Sequence, residues 1–231
     1  MTDYLPLGSR FTEALAYATG LHATQIRKGT QGVGGSGSPA IPYVAHLLGV
    51  TALVLEHGGG ETEATAALLH DAVEDQGGLP RLADIEARFG PDVAHIVAAC
   101  TDGDRWSLAE DGTPLLTWRG RKETYVRHLP SESVSVLLVS ASDKRHNAQA
   151  ILDDLRAAKG AADAGAAEAG LWSRFKPGRD ATLRYYEALA GAYQAAAVTR
   201  THPGLGRLTG EFARVVAELS AEAGPNHSPR W

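Results

Sequence analysis

Apolar residues recur at three- to four-residue spacing along most of the chain, the signature of helices that each bury one face. Phe11, Leu15, Ala18, Leu21 and Ile26 trace such a stripe and predict a helix from Phe11 to Lys28. The stretch Gly29 to Pro42 (GTQGVGGSGSPAIP) holds five glycines and two prolines and is expected to be a mobile loop. Helical spacing resumes from Val44 to Leu55 and stops at His57-Gly58-Gly59-Gly60. Alanine and leucine dominate Glu61 to Glu74, which reads as one helix before Gly77-Gly78. Short helices follow over Leu82 to Phe89 and from Pro91 to about Cys100, with Gly90 between them. Thr101 to Leu116 reads as a polar loop, and Trp118 to His128 as a helix. Val134 to Val139 (VSVLLV) fits strand or helix equally, but the unbroken continuation SASDKRHNAQAILDDLRAA decides for helix. Lys159 to Gly170 is Ala/Gly-rich and is left as a frayed helix end or loop. Thr182 to Ala197 and Leu208 to Ala223 complete the pattern. The expectation is an all-α helical bundle, with a core over residues 1–155, C-terminal helices over 156–223 packed on it, and a disordered tail over 224–231.

Composition narrows the function classes. The 231 residues are enough for a real hydrophobic core, and the single cysteine, Cys100, excludes an internal disulfide. No basic segment leads into an apolar stretch at the N-terminus, and no apolar run approaches the ~20 residues of a bilayer span, so a cytoplasmic protein off the membrane is expected. Twenty-two Lys plus Arg against 27 Asp plus Glu give a formal charge of −5, which argues against binding a nucleic-acid backbone. An anionic small molecule is admissible if a metal or a local basic patch receives it.

Candidate chemistry lies within the apolar helices. His70 and Asp71 follow Ala66-Ala67-Leu68-Leu69, where buried polar groups are costly unless paired. Glu74 and Asp75 come one turn later, at i+4 from His70 and Asp71. Three carboxylates and an imidazole so close repel one another unless a cation intervenes. Asp143 and Asn147 repeat the spacing on another helix, and His46 lies one turn into a third. Two imidazoles and two carboxylates, from His46, His70, Asp71 and Asp143, suit one divalent ion such as Mn²⁺, Fe²⁺ or Zn²⁺ better than Ca²⁺.

Taken together, Arg27-Lys28, Tyr43, His46, LLHDAVED (Leu68 to Asp75) and SDKRHN (Ser142 to Asn147) resemble the HD superfamily. Within it they resemble the hydrolase domain of the RelA/SpoT family and its stand-alone small alarmone hydrolases. The resemblance runs from about Phe11 to Leu155. It implies an HD-domain bundle, Mn²⁺ as the first choice of cofactor, and removal of the 3′-pyrophosphate from guanosine 3′,5′-bis(diphosphate), the alarmone degradation of the stringent response. The remaining chain is too short for a synthetase domain. In that reading Glu74 and Asp75 orient water and move its proton. Arg27, Lys28, Tyr43, Lys144 and Asn147 face the nucleotide, and Lys176, Arg179 and Tyr185, in a stretch similar to the C-terminal segment of the small hydrolases, complete its wall. The alternatives are an HD phosphatase for another nucleotide or phosphorylated dinucleotide, and a non-catalytic nucleotide-binding module. The intact Glu74-Asp75 pair speaks against the last, because pure binding needs no general base.

Overall fold

The structure is a computed structural model that describes residues 6–28, 40–101 and 116–226. Most of the expected glycine-rich loop (29–39), most of the expected polar loop (102–115) and the end of the expected tail (227–231) lie outside the described residues. The order is α1 (Ser9–Leu21), α2 (Val44–Glu56), α3 (Glu61–Leu69), α4 (Ala72–Asp75), α5 (Gly78–Phe89), α6 (Pro91–Cys100), α7 (Trp118–His128), α8 (Val134–Lys159), α9 (Ala164–Ser173), α10 (Gly178–Val198) and α11 (Pro203–Ala223). Among the described residues extended pairing is limited to one isolated antiparallel bridge between Ile26 and Pro42. No helix among them is long and apolar enough to cross a membrane.

Local chemistry sets the helix ends. Ser133 accepts a hydrogen bond from the Val136 amide and starts α8, so VSVLLV is helical. Gly90, with φ of 91°, turns the chain between α5 and α6, and Pro91 opens the next helix without needing an amide proton.

Three segments depart from expectation. The first helix ends at Leu21, not Lys28, because tertiary contacts claim the residues after it. Arg27 N–H donates to the Ile41 carbonyl at 2.8 Å and Tyr43 N–H to the Gln25 carbonyl at 3.0 Å, which pulls that strip out of the helix. The expected helix from Glu61 to Glu74 is broken at His70 and Asp71 into α3 and α4. The Ala/Gly-rich stretch holds a helix of its own, α9, nucleated by Asp163, whose carboxylate accepts the Ala166 amide at 3.0 Å.

The buried side chains form two clusters. One gathers Leu47, Val50 and Val54 of α2, Leu68 and Leu69 of α3, and Val93 and Val97 of α6 with residues of α1 and α5. The other gathers Leu183, Leu189 and Tyr193 of α10 and Leu208, Phe212 and Leu219 of α11. Helix α8 belongs to both: Val136 and Val139 enter the first, while Leu137, Leu138, Leu152 and Leu155 enter the second. It is therefore the shared wall of the molecule, and Asp143 lies on it.

Candidate metal centre

Three helices and one break converge on a buried polar cluster. His46, on the first turns of α2, is 2% exposed, as is His70 at the break after α3, and Asp143 of α8 is 5% exposed. One ligand atom from each of these three residues can be chosen so that all lie within 4.8 Å of one another. His46 Nε2 is 3.2 Å from Asp143 Oδ1 and 3.5 Å from Asp71 Oδ2. His70 Nε2 is 3.1 Å from Asp71 Oδ2 and 3.5 Å from Asp143 Oδ1. Despite these approaches His70 Nε2 has no aligned hydrogen bond, while its Nδ1 meets the Ala67 carbonyl at 2.8 Å. Donors about 2.0–2.2 Å from a divalent ion stand about 3 Å apart, so this spacing and the orphaned His70 nitrogen fit an ion at the centre.

The break between α3 and α4 lets two consecutive residues face one centre, which a continuous helix does poorly because neighbours are splayed by about 100°. Neighbouring groups then hold the carboxylates. Tyr43 O–H donates to Asp71 Oδ2 at 2.6 Å, and the Tyr43 ring stacks on His22 with centroids 5.0 Å apart. Asn147 donates to Asp143 Oδ1 at 2.6 Å and Lys144 to Asp143 Oδ2 at 2.5 Å. Burial works against both carboxylates, yet their cationic neighbours, His70 for Asp71 and Lys144 for Asp143, hold them well below the usual carboxylate range. Burial likewise opposes charge on His70, but Asp71 and Asp143 outweigh it and hold its pKa well above that of a free imidazole.

That shift has a testable consequence. The carboxylates favour the charged form of His70 when no ion is bound, whereas a ligand imidazole must be neutral, so ion uptake should expel a proton. Apparent affinity should rise with pH, by about tenfold per unit while one proton is displaced. Calorimetry in two buffers of different ionisation enthalpy measures the protons released, and a value of zero would contradict the assignment.

A cleft of about 470 Å³ opens beside the cluster, lined by Arg27, Lys28, Tyr43, His46, Asn147, Phe175 and Tyr186 among others. Arg27 donates to Asn147 Oδ1 at 3.2 Å, and the Lys28 ammonium stands 5.8 Å from the centre of the Phe175 ring. Glu74 is half-buried on α4, and Asp75 is exposed and accepts from Gln25 Nε2 at 2.8 Å. Other expected substrate residues are elsewhere. Lys144 is turned to Asp143 and the Tyr125 ring, and Tyr185 packs among Trp118 and Tyr186. Arg179 donates to the carbonyls of Ala223, Gly224 and Pro225, so it caps the end of α11 and is not part of the cleft wall. Lys176 is exposed and does not line the cleft.

The sequence reading missed five contributors, among them His22, which stacks on Tyr43. Phe175 and Tyr186 lie within the C-terminal stretch it singled out (Arg174 to Tyr186), but nothing local marks them as cleft residues. Gln25 links His22, Gln76 and Asp75 through its side-chain amide. His146 Nδ1 stands 3.1 Å from His46 Nδ1, and burial together with His46 pushes its pKa down to about 4.

The guanosine-3′,5′-bis(diphosphate) 3′-pyrophosphohydrolase MESH1 of Drosophila melanogaster is 30% identical over 141 residues, 60% of this chain and 68% of that protein. A probable guanosine-3′,5′-bis(diphosphate) 3′-pyrophosphohydrolase of Synechocystis is 30% identical over 136 residues, 58% of this chain but only 16% of the relative's length. A solved structure of a metazoan ortholog of SpoT, described as hydrolysing ppGpp, superposes with a TM-score of 0.60 at 25% identity, covering 91% of this chain and 97% of that one. A family model described as the HD domain matches residues 14–174. With the helical fold and the His-Asp cluster already in place, that match settles the family: the chain belongs to the HD domain family.

Proposed function

We propose that the protein is a metal-dependent phosphohydrolase that removes the 3′-pyrophosphate of guanosine 3′,5′-bis(diphosphate), acting in the cytoplasm. The observation that carries this reading is the buried cluster of His46, His70 and Asp143, with the partly exposed Asp71 3.1 Å from His70, beside a cleft with Arg27 and Lys28 on its wall. The activity named for the Drosophila relative points the same way. His46, His70, Asp71 and Asp143 would hold the ion, Mn²⁺ in our reading, with Fe²⁺ or Zn²⁺ as alternatives. When bound, the ion supplies Lewis-acid charge at the reacting phosphate and makes hydroxide accessible near neutral pH.

The remaining work falls to side chains. Glu74, one turn after His70, would accept the proton of the attacking water, and Asp75, held by Gln25, would pass it towards solvent. Arg27 offers a flat cation for a purine face and Lys28 a point charge for phosphate. Asn147 joins the Arg27 guanidinium to Asp143, so binding of substrate at Arg27 is coupled to the ligand carboxylate through two hydrogen bonds. Phe175 and Tyr186 give the cleft aromatic surface for the base.

With Mn²⁺ present, guanosine 5′-diphosphate 3′-diphosphate plus water should give guanosine 5′-diphosphate plus pyrophosphate, and nucleoside 5′-triphosphates should be untouched. Product chromatography decides this. Release of orthophosphate, or faster turnover of nucleoside monophosphates, would replace the substrate with another nucleotide while retaining phosphohydrolase chemistry.

A further inference from the structure

We propose that His146 is a positioning residue for His46, seated in a notch that Gly49 leaves open on α2. The inference rests on reading the cluster as a metal centre. His46 presents Nε2 to Asp71 and Asp143, so Nε2 is the atom that faces the ion. A neutral imidazole carries one proton, and if Nε2 is to donate its lone pair that proton must sit on Nδ1. The group 3.1 Å from His46 Nδ1 is His146 Nδ1, and the two rings meet edge to face with centroids 4.9 Å apart. His146 therefore accepts at Nδ1 and keeps its own proton on Nε2. The centre then has two differently oriented imidazoles. His70 is oriented locally, by the carbonyl of Ala67 three residues before it. His46 is oriented by a side chain 100 residues away, carried on the helix that also supplies Asp143.

Gly49 makes the second arrangement sterically feasible. A Cβ at position 49 would lie 2.2 Å from His146 Nε2 and 2.5 Å from Cδ2, distances that no real contact sustains. The ring thus packs directly on the α2 backbone one turn after His46. Any side chain at 49 must push it off, and with it the acceptor for His46.

The test is Mn²⁺ affinity of the full chain, measured by paramagnetic resonance of free Mn²⁺, alongside kcat and KM. His146→Phe keeps a ring and removes the acceptor, while Gly49→Ala keeps the acceptor and displaces it. Both should weaken Mn²⁺ binding by about 10–100-fold, the usual effect of losing a group that orients a ligand imidazole. His146→Asn sets an amide oxygen where Nδ1 was and should bind within a few-fold of wild type. At saturating Mn²⁺ kcat should largely recover in all three. Alanine is the better helix former, so Gly49→Ala does not weaken α2 through propensity, and circular dichroism and melting of the metal-free variants check that the packing of α2 against α8 survives. Wild-type affinity in His146→Phe, or equal damage in His146→Asn and His146→Phe, would overturn this inference and leave the metal centre standing. Failure of the wild type to bind any divalent ion would overturn both.

Discussion

Asp143→Ala should bind no divalent ion and should also unfold at a lower temperature in metal-free buffer. The first effect follows from its position: Oδ1 lies 3.2 Å from His46 Nε2 and 3.5 Å from His70 Nε2, so it completes the donor set from α8. The second follows from Lys144. Its side chain is partly buried, 18% exposed, with the ammonium 2.5 Å from Asp143 Oδ2, and burial disfavours the charge while the Asp143 carboxylate restores it. Removing one partner of a fully buried pair typically costs about 3–5 kcal/mol, because the other charge is left unsolvated, and the partial exposure of Lys144 makes this an upper bound. For a chain of this size that corresponds to a fall of roughly 6–20 °C in melting temperature. Asp143→Asn keeps the hydrogen bond from Lys144 without its counter-charge and should fall between. Metal analysis and metal-free melting curves check both effects. Full metal occupancy would remove Asp143 from the ligand set, and an unchanged melting temperature would show that Lys144 finds another partner.

Glu74→Gln should keep its ion and lose turnover by about 10²–10⁴-fold, the usual contribution of a general base. The amide preserves volume but accepts no proton. Metal content separates this outcome from that of the ligand variants, because Glu74 is not one of the four proposed ligands. A kcat within a few-fold of wild type would pass the role to Asp75, whose carboxylate is held by Gln25.

Residues that announced themselves in sequence were those whose role is local. His70, Asp71, Asp143 and His46 stand out because ionisable groups within apolar helices need partners, and the structure brings them together. The helices too were legible wherever one face is buried and a Gly, Pro or Ser marks the end. What stayed hidden depends on residues far apart. The strip after Leu21 has ordinary helical composition, and only its pairing with Ile41 and Tyr43 draws it out of the helix. His22 and Gln25 brace the site from there, by stacking on Tyr43 and by holding Asp75. His146 looked like one more polar residue of its motif, because its partner is 100 positions away. By contrast, Asp163 at the start of α9 was a readable signal, an N-cap aspartate outweighed by the glycines around it.

The ambiguity of VSVLLV has a deeper source in α8. A helix with one wet side shows an amphipathic stripe, but α8 is claimed all the way round its first turns. Val136 and Val139 serve one cluster, Leu137 and Leu138 the other, and Asp143 and Asn147 the chemistry. Such a segment has no neutral direction in which to vary. A bulkier side chain on any of these flanks is transmitted either to a core or to the donor set, so the first turns of α8 tolerate fewer substitutions than a helix with one wet side. The cleft wall opposite α8 is freer to be remodelled, because Phe175, in the link between α9 and α10, and Tyr186 of α10 line the cleft without touching the donor set.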